Sequence, residues 1–400
     1  MKSNNKATFK LWEVILITLV SSLVMSLSTG YVVFRSKDKV PKTDSKYINE
    51  FISSYNNIIN NYYADKDEKI DESALIDAAI NGMLSYLKDP YTTYLNENNT
   101  NLLTDSLNGT YEGIGVEVNN TIDNTIEIVN VFANSPADKA GIIAGDIILK
   151  IDDVDLADKD ASEAVNLIKE NKAGKINISV KRNNEILSFN LQKSTLNIPI
   201  VSKEIFNNNN KKIGYIQIAK FTDTSYEQFS ESLDLLEDSF IDSLIIDVRN
   251  NTGGYLSSAT NIAELFLEKG KVIYSLENKL SKDVTKDVTE EARDYKVIVL
   301  MNKGTASASE VLAAALKYSY NAILIGTQSY GKGKVQRTAT LNDGSMYKYT
   351  SARWLTPKGD CIDNTGLSPD ILVEQSEEYM NNPTFENDNQ LQTAIYELSK

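Results

Sequence analysis

Histidine is absent from this chain of 400 residues, and cysteine occurs once, at Cys361. The absence of histidine excludes a Ser-His-Asp triad, a Cys-His dyad and any zinc site that uses imidazole. A single cysteine excludes an internal disulfide and a CxxC site. Acid–base chemistry near neutral pH therefore has to use carboxylates, tyrosine or a lysine whose pKa is shifted.

Basic residues are also scarce. The 41 lysines and arginines face 55 acidic residues, which gives a net charge of −14 and argues against a nucleic-acid partner. With 19 glycines and 7 prolines, neither a collagen-like chain nor a long proline-rich linker fits. The length and the 42% hydrophobic content are typical of a globular protein of two or three domains.

An apolar run near the start of the chain predicts a membrane anchor. Residues 14–34 contain no charge, and basic residues flank them on both sides. At about 1.5 Å per residue, such a helix spans a hydrocarbon layer of roughly 30 Å. The alternative is a cleaved signal peptide with a weak site at Ser26-Leu27-Ser28. The run exceeds the roughly 7–15 apolar residues of a signal peptide, so an uncleaved anchor is favoured.

Beyond residue 40 the chain begins with helical spacing and then changes to alternation. Apolar residues recur every three or four positions between residues 44 and 105, which predicts packed helices. From Tyr111 onward alternating strands surround a short helix closed by Gly141, followed by a helix at residues 161–169 and a hairpin at residues 175–191. A small β domain is therefore expected after the helices.

This small β domain resembles a PDZ domain. The residues that carry the resemblance are Tyr111-Glu112-Gly113-Ile114-Gly115-Val116, Ser135-Pro136-Ala137 with Ala140-Gly141, and Gly145-Asp146-Ile147-Ile148. A PDZ domain adds an extended peptide to a strand edge and holds the peptide carboxylate with backbone N–H groups. The resemblance implies that Gly113, Ile114, Gly115 and Val116 form that loop and groove edge. The alternative is that the glycines form only a tight turn.

Strands and helices alternate from residue 213 onward, which predicts α/β layering with the site in loops at strand ends. In one such loop, Ser307-x-x-Glu310 fits either a capping box or a nucleophile at a helix N-terminus that faces an oxyanion. Residues 247–254, DVRNNTGG, fit either a polar turn or a backbone nest that completes an oxyanion hole.

A third segment, residues 326–333, nearly matches a P-loop. Gly333 stands where the Mg²⁺-binding hydroxyl belongs, and a strand is predicted to follow where a phosphate cradle needs a helix. A P-loop NTPase is therefore a disfavoured alternative.

The order and spacing of these segments together resemble the C-terminal processing (tail-specific) peptidases, which are serine proteases with a Ser-Lys dyad. The matching motifs are D-x-R-x-N-x-G-G at residues 247–254, S-A-S-E at 307–310, G-K-G-x-x-Q at 331–336, T-P-K-G at 356–359 and G-L-S-P-D at 366–370. The resemblance implies three catalytic residues, namely the nucleophile Ser307, the general base Lys332 and, to orient the lysine amine, Gln336. It also implies an oxyanion hole from the N–H groups of Ala308 and of the Gly253-Gly254 turn.

A lysine base suits a chain without histidine. A serine hydroxyl needs a base to remove its proton, and a lysine with its ordinary pKa of about 10.4 is charged at pH 7. Burial disfavours the ammonium and can lower that pKa by several units. We therefore expect Lys332 to be neutral in the competent enzyme.

The resemblance implies a mixed α/β, crotonase-like protease core with an inserted PDZ domain, an N-terminal helical segment and a single transmembrane helix. The expected boundaries are residues 1–40 for a cytoplasmic tail and anchor, 41–106 for the helical region, 107–195 for the PDZ domain and 196–400 for the protease core.

The expected function is that of a membrane-anchored serine endopeptidase. Its PDZ domain would recognise substrate C-terminal tails, and its catalytic domain would lie outside the cytoplasm. The expected partners are a protein or peptide with an apolar C-terminus and the membrane, and a homodimer is an open expectation. No cofactor, metal or nucleic acid is expected. The alternative is a catalytically silent PDZ/protease-like protein that binds peptides without turnover.

Overall fold

The computed structural model describes residues 45–63, 70–121, 123 and 125–400. The predicted anchor at residues 14–34 lies outside these ranges. Within them, no helix combines the length and the apolar character that a membrane crossing requires. The described residues divide into two compact units, one up to Ile80 and the other Asn81–Lys400.

Helices and strands follow one another throughout the described residues. The helices are α1 (Ser45–Asn61), α2 (Glu72–Tyr86), α3 (Glu97–Asn108), α4 (Pro136–Ala140), α5 (Ala161–Glu170), α6 (Ser225–Asp238), α7 (Leu256–Glu264), α8 (Ala308–Ala315, continued by a π-helical turn Leu316–Tyr320), α9 (Glu377–Asn381) and α10 (Asn389–Leu398).

The strands up to the start of the large sheet are β1 (Thr93–Leu95), β2 (Thr110–Gly113), β3 (Val116–Asn120), β4 (Ile126–Val131), β5 (Ile147–Ile151), β6 (Val154–Asp155), β7 (Lys175–Arg182), β8 (Glu185–Gln192), β9 (Ser194–Asn197) and β10 (Val201–Asn208). The later strands are β11 (Lys211–Ile218), β12 (Ser243–Asp247), β13 (Val272–Glu277), β14 (Lys282–Lys286), β15 (Lys296–Met301), β16 (Ile323–Gly326), β17 (Lys334–Thr340), β18 (Met346–Leu355) and β19 (Ile371–Leu372).

The predicted small β domain is present as an antiparallel sheet in the order β3-β4-β5-β7-β8, with β6 paired to β5. Aliphatic side chains form its core, because the inward-facing positions of its strands are apolar and alternate with polar outward-facing positions. Ser135 caps α4 by accepting a hydrogen bond from the Asp138 N–H, and Gly141 ends it with a φ of 85°. Strand β3 forms one edge of this sheet, which is the edge that a peptide would need.

A two-stranded antiparallel ribbon joins the small domain to the rest of its unit. Strands β2 and β9 form this ribbon and enter and leave the small domain side by side. The sequence pattern did not predict the ribbon, because neither four-residue strand alternates strongly enough to be recognised alone.

The large sheet has the order β10-β11-β12-β15-β16-β19 and is parallel from β11 onward. All five residues of β12 are buried, as expected for a central strand with both faces covered. Helices α6, α7 and α8 contribute to the core on one face, and α10 packs its apolar side on the other.

The parallel strands bring the three chemistry-bearing segments to one edge of the sheet. Strands β12, β15 and β16 are neighbours, and residues 248–255, 302–307 and 327–333 follow their carboxyl ends. Hydrogen bonds tie these loops together, because the Ala306 N–H donates to the Asn251 carbonyl at 3.0 Å and the Tyr330 N–H to the Thr305 carbonyl at 3.0 Å.

A buried ion cluster anchors the first of these loops to the C-terminal helix. The Arg249 guanidinium lies 2.6 Å from Asp247 and 2.7 Å from Asp388, the residue that caps α10. Tyr215 donates a further hydrogen bond to Asp247 at 2.8 Å. The charges are buried but paired, as buried charges must be to avoid a large desolvation cost.

Candidate active site

Ser307 occupies a strained turn between β15 and α8. Its φ of 58° and ψ of −118° are unusual for a residue with a side chain. Its backbone N–H donates to Glu310 Oε2 at 2.8 Å, as the predicted capping box requires. The side chain is half-buried and lines a cavity of about 650 Å³. The capping and nucleophile interpretations are therefore compatible with each other.

Glu310 links the Ser307 turn to the loop that carries Lys332. Its carboxylate is fully buried and accepts four hydrogen bonds, from the N–H groups of Ser307, Gly331 and Lys332 and from the Ser329 hydroxyl, at 2.6–2.9 Å. Burial raises the pKa of Glu310, although the four hydrogen bonds act in the opposite direction. All four partners are donors, which favours the ionised form.

The same contacts remove the P-loop alternative. A phosphate cradle needs free backbone N–H groups, whereas those of Gly331 and Lys332 already donate to the Glu310 carboxylate. Strand β17 follows directly at Lys334, as the sequence predicted, so no helix N-terminus is present at this loop.

Lys332 is half-buried and its backbone is held at both ends. Its N–H donates to Glu310 at 2.9 Å, and its carbonyl accepts a hydrogen bond from the Trp354 indole Nε1 at 2.8 Å. Burial lowers the pKa of Lys332 below its ordinary value, and the positive charge of Lys348 acts in the same direction. Glu310 opposes them by raising it. The net direction is the one that a lysine base requires.

Ser307 and Lys332 line the same cavity together with Gln336, Ala308 and Gly254. Helix α3, which precedes the small β domain, contributes Leu103, Thr104 and Leu107 to another wall. The structure thus brings together residues from three separate motifs and adds a helix that the sequence motifs did not indicate.

The predicted dyad is not hydrogen-bonded in this state. Among the described residues, no hydrogen bond joins the Ser307 side chain to the Lys332 amine. The Lys332 Nζ lies 5.1 Å from the centroid of the Tyr91 ring. The Gln336 amide donates to the Lys334 carbonyl at 3.2 Å, and within the described residues no hydrogen bond joins it to the Lys332 amine. The orienting role of Gln336 stays a prediction.

The predicted oxyanion-hole residues differ in whether their N–H groups already donate a hydrogen bond within the protein. The Gly253 N–H donates to Asn251 Oδ1 at 2.9 Å, so it is already committed. A Cβ at Gly253 would lie 2.9 Å from the Ser307 Cβ, which shows how closely this glycine approaches the serine. Within the described part of the chain, the N–H groups of Gly254 and Ala308 donate to no protein acceptor. The predicted donor pair of Ala308 and one glycine of the Gly253-Gly254 turn therefore stays a prediction, with Gly254 as the glycine whose N–H is compatible with that role.

Comparisons with known proteins agree with this architecture. Residues 212–373 match the model of peptidase family S41, residues 113–192 the PDZ domain, and residues 26–99 the N-terminal domain of the activating protease CtpB. The carboxy-terminal processing protease CtpA of Bacillus subtilis (strain 168) is 35% identical over 372 residues, which cover 92% of this chain and 78% of CtpA. The chain belongs to the carboxy-terminal processing protease family. It is a serine peptidase with a PDZ domain.

Two further comparisons extend this result. CtpB of the same organism is 36% identical over 329 residues, covering 82% of this chain and 68% of CtpB. A solved structure of a candidate S41 protease from Bacteroides fragilis NCTC 9343 has a TM-score of 0.53 at 15% identity and covers 85% of this chain and 92% of its own. At that identity the likeness supports the fold alone. The mixed α/β protease fold and the PDZ domain predicted from the sequence are confirmed.

The predicted carboxylate-binding loop lies between the β2–β9 ribbon and strand β3. Gly113, Ile114 and Gly115 are buried, and Gly115 has a φ of 88° that favours glycine. The Ile114 carbonyl accepts a hydrogen bond from the Ala137 N–H at 2.9 Å, which fixes the loop against α4. Val116 begins the edge strand β3 of the protease's PDZ domain.

Three contributors to the protease site were missed by motif reading. Glu310 was recognised only as a capping residue, although the sequence carried the S-x-x-E signal. Trp354 and Tyr91 contact Lys332 from distant parts of the chain, and no local pattern indicates such contacts. Their only signal was the presence of aromatic residues in otherwise polar segments.

Proposed function

We propose that this protease is a membrane-anchored endopeptidase that captures substrate C-terminal tails with its PDZ domain and cleaves with a Ser307/Lys332 dyad. One observation carries the proposal. Ser307, on its positive-φ turn, and Lys332, whose pKa is lowered by burial, line a single cavity.

Catalysis would begin when the neutral Lys332 amine accepts the Ser307 hydroxyl proton as the oxygen attacks the peptide carbonyl. The carbonyl oxygen would become an oxyanion, stabilised by the N–H groups of Ala308 and Gly254 at the positive end of α8. Collapse breaks the C–N bond, with the proton passing from Lys332 to the leaving amine. The resulting acyl ester is hydrolysed by water, with Lys332 again acting as the base.

This sequence of steps requires side-chain movement from the arrangement described above. Lys332 must leave the Tyr91 ring to reach Ser307, and Gln336 must release the Lys334 carbonyl to orient the amine. Both are rotations of side chains on a fixed backbone, which are far easier than refolding a loop.

The proposed partner is a protein or peptide with an apolar C-terminus. The open edge of β3 supports addition of an extended peptide, and the loop at Gly113–Val116 would hold its carboxylate. A peptide with a free C-terminus is expected to bind more tightly than the same peptide with an amidated terminus. Equal affinities for the two peptides would remove tail recognition.

We propose that residues 14–34 anchor the protein and that the protease core lies outside the cytoplasm. Cys361 offers a test, because it is the sole cysteine of the chain and is partly exposed. A membrane-impermeant maleimide added to intact cells should label it. Labelling that appears only after lysis would refute the proposed location.

The test of function uses the full chain in detergent. The parent and the Ser307→Ala and Lys332→Ala variants are incubated with a poorly folded protein that ends in apolar residues, and products are identified by mass spectrometry. Cleavage by the parent alone supports the dyad. Cleavage that survives in Lys332→Ala would refute the role of the lysine. No cleavage by the parent, combined with peptide binding, would favour the catalytically silent alternative.

A further inference from the structure

Tyr91 contacts the proposed base from a turn far from the catalytic motifs. This residue lies between α2 and β1, and its ring centroid is 5.1 Å from the Lys332 Nζ and 5.6 Å from the Lys334 Nζ. Both distances fall within the range of cation–π attraction. Lys334 also pairs with Asp89 at 3.6 Å. Among the described residues the Lys332 amine has no hydrogen bond or ion pair.

The position of the Lys332 amine is decided by its side chain alone. Glu310 and Trp354 hold the N–H and carbonyl of Lys332, and the next N–H, of Gly333, donates to Asp363 at 3.1 Å. Because the backbone is held on both sides, the amine can move between Tyr91 and Ser307 only by changing rotamer.

Hydrogen bonds also hold the backbone of the turn that carries Tyr91. Its N–H donates to the Asp89 carboxylate at 3.3 Å, and the Thr92 hydroxyl donates to the same carboxylate at 2.8 Å. The Thr350 N–H of β18 donates to the Thr92 hydroxyl at 3.2 Å, and β1 pairs with β18. The turn that carries Tyr91 is therefore attached to β18, the strand that also carries Trp354.

We propose that Tyr91 is a positioning residue that holds the Lys332 ammonium on its ring, away from the Ser307 hydroxyl, and so governs when the lysine is free to act as the base. The inference rests on the Ser307/Lys332 dyad proposed above. Tyr91 acts through Lys332 and has no role in bond making or breaking.

Two charged groups act on Lys332, namely Glu310 of α8 and Lys348 of β18. The groups that act on the Tyr91 ring are Lys334 of β17, Tyr330 and Asp363 of neighbouring loops, and Asp89 before β1. Replacing Tyr91 leaves all the other groups in place. The effect of such a replacement on the lysine therefore reports on the ring.

The expected direction of the change in the Lys332 pKa follows from the preference of an aromatic ring face for a positive charge. A ring face stabilises the ammonium, so it opposes the burial that lowers the pKa of Lys332. Removing the ring lowers that pKa further and increases the neutral fraction at pH values below it. The acid limb of the pH–rate profile should move down by roughly 0.5–1 pH unit, which makes the rate on that limb about 3- to 10-fold higher.

The experiment measures the rate at which a small fluorophosphonate labels Ser307 as a function of pH, in the full chain, by intact mass. Tyr91→Leu removes the ring and Tyr91→Phe retains it. Tyr91→Met removes the ring but refills the space with a flexible side chain, in case the leucine variant folds poorly. Each ring-removing change is repeated in the Lys332→Ala background, and Lys334→Met tests whether the second lysine transmits the effect.

The expected result is a downward shift in Tyr91→Leu and Tyr91→Met, the parent profile in Tyr91→Phe, and no effect of Tyr91 changes when Lys332 is absent. If the acid limb of the pH–rate profile is unchanged or moves to higher pH in both ring-removing variants, the role of Tyr91 is overturned. The dyad is still supported in that case, provided that Lys332→Ala is inactive. A shift that vanishes in Lys334→Met also overturns it. Parent-like labelling in Lys332→Ala refutes the dyad, and the Tyr91 inference with it.

Discussion

Replacing the buried Glu310 with glutamine tests whether this carboxylate joins the two halves of the active site. Its Oε2 accepts hydrogen bonds from the N–H groups of Ser307 and Lys332, and its Oε1 from the Gly331 N–H and the Ser329 hydroxyl. A glutamine has only one side-chain oxygen. Its best placement puts that oxygen at the Oε2 position, because both partners there are backbone donors that cannot become acceptors.

The amide nitrogen of the glutamine then faces Ser329 and Gly331. The Ser329 hydroxyl can rotate and accept a hydrogen bond, whereas the Gly331 N–H is left without a partner. One orphaned buried donor costs about 1–3 kcal/mol. Glu310→Ala would instead orphan three backbone N–H groups, at about 3–9 kcal/mol in all, which approaches the about 5–15 kcal/mol stability of a typical protein. The glutamine variant should therefore fold, and the alanine variant should fold poorly.

Two assays test the expected effects of the Glu310 variants. Thermal unfolding should show that Glu310→Gln melts a few degrees below the parent, with Glu310→Ala much lower. The pH–rate profile of peptide cleavage should change as well. The negative charge of Glu310 raises the pKa of Lys332, so its removal should lower that pKa and move the acid limb to lower pH.

Glu264→Gln is the matched control. Burial raises the pKa of Glu264, and the nearby Asp287 raises it further, so neutralising it removes a repulsion. This variant should melt no lower than the parent and keep the same acid limb. Melting of both Glu310→Gln and Glu310→Ala at the parent temperature would show that this carboxylate does not hold the two halves of the site together. An acid limb that moves to higher pH in Glu310→Gln would contradict the expected effect of the Glu310 charge on the pKa of Lys332.

Three other predictions concern the base, the oxyanion hole and the PDZ domain. Lys332→Arg should abolish peptide cleavage without lowering the melting temperature, because a guanidinium stays protonated. Gly254→Ala should lower kcat about 10²–10³-fold, because its Cβ would lie 1.8 Å from the Phe221 carbonyl and force the Gly254 N–H to move. Burial alone would raise the pKa of Asp146, but the hydrogen bonds from Arg182 and from the Ile143 N–H, together with the Arg182 charge, outweigh it and hold the pKa below its usual range. The parent should therefore be more thermally stable than Asp146→Asn at neutral pH, and the difference should shrink as pH falls below about 4.

Each of these predictions has a control and a contradicting outcome. Lys317→Arg, at an ion pair with Asp370 outside the cavity, should stay active, and activity in Lys332→Arg would exclude a neutral lysine base. Gly82→Ala adds a methyl group with no atom within 4 Å and should keep full kcat, whereas an active Gly254→Ala would remove that residue from the oxyanion hole. A stability difference for Asp146→Asn that is the same at acid and neutral pH would contradict the linkage argument.

The residue content of this chain limited the chemistry that its site can use. Without histidine, a serine nucleophile needs another base, and the lysine within G-K-G-x-x-Q was the candidate that the motif pattern provided. The alternation of strands and helices from residue 213 predicted the α/β layering, and alternation from Tyr111 predicted the small β domain. These features are local, because side-chain periodicity and glycine-bearing turns are set by neighbouring residues.

Tertiary structure alone decided how those residues meet. Three loops became one site because β12, β15 and β16 are parallel neighbours, so their carboxyl ends share an edge. Long-range contacts also assigned the hydrogen bonds at Lys332: its N–H donates to Glu310, 22 positions away, and its carbonyl accepts from the Trp354 indole, 22 positions away on the other side. Hydrogen-bond donors are satisfied by whichever acceptor the fold places within about 3 Å, and sequence spacing carries no information about that distance.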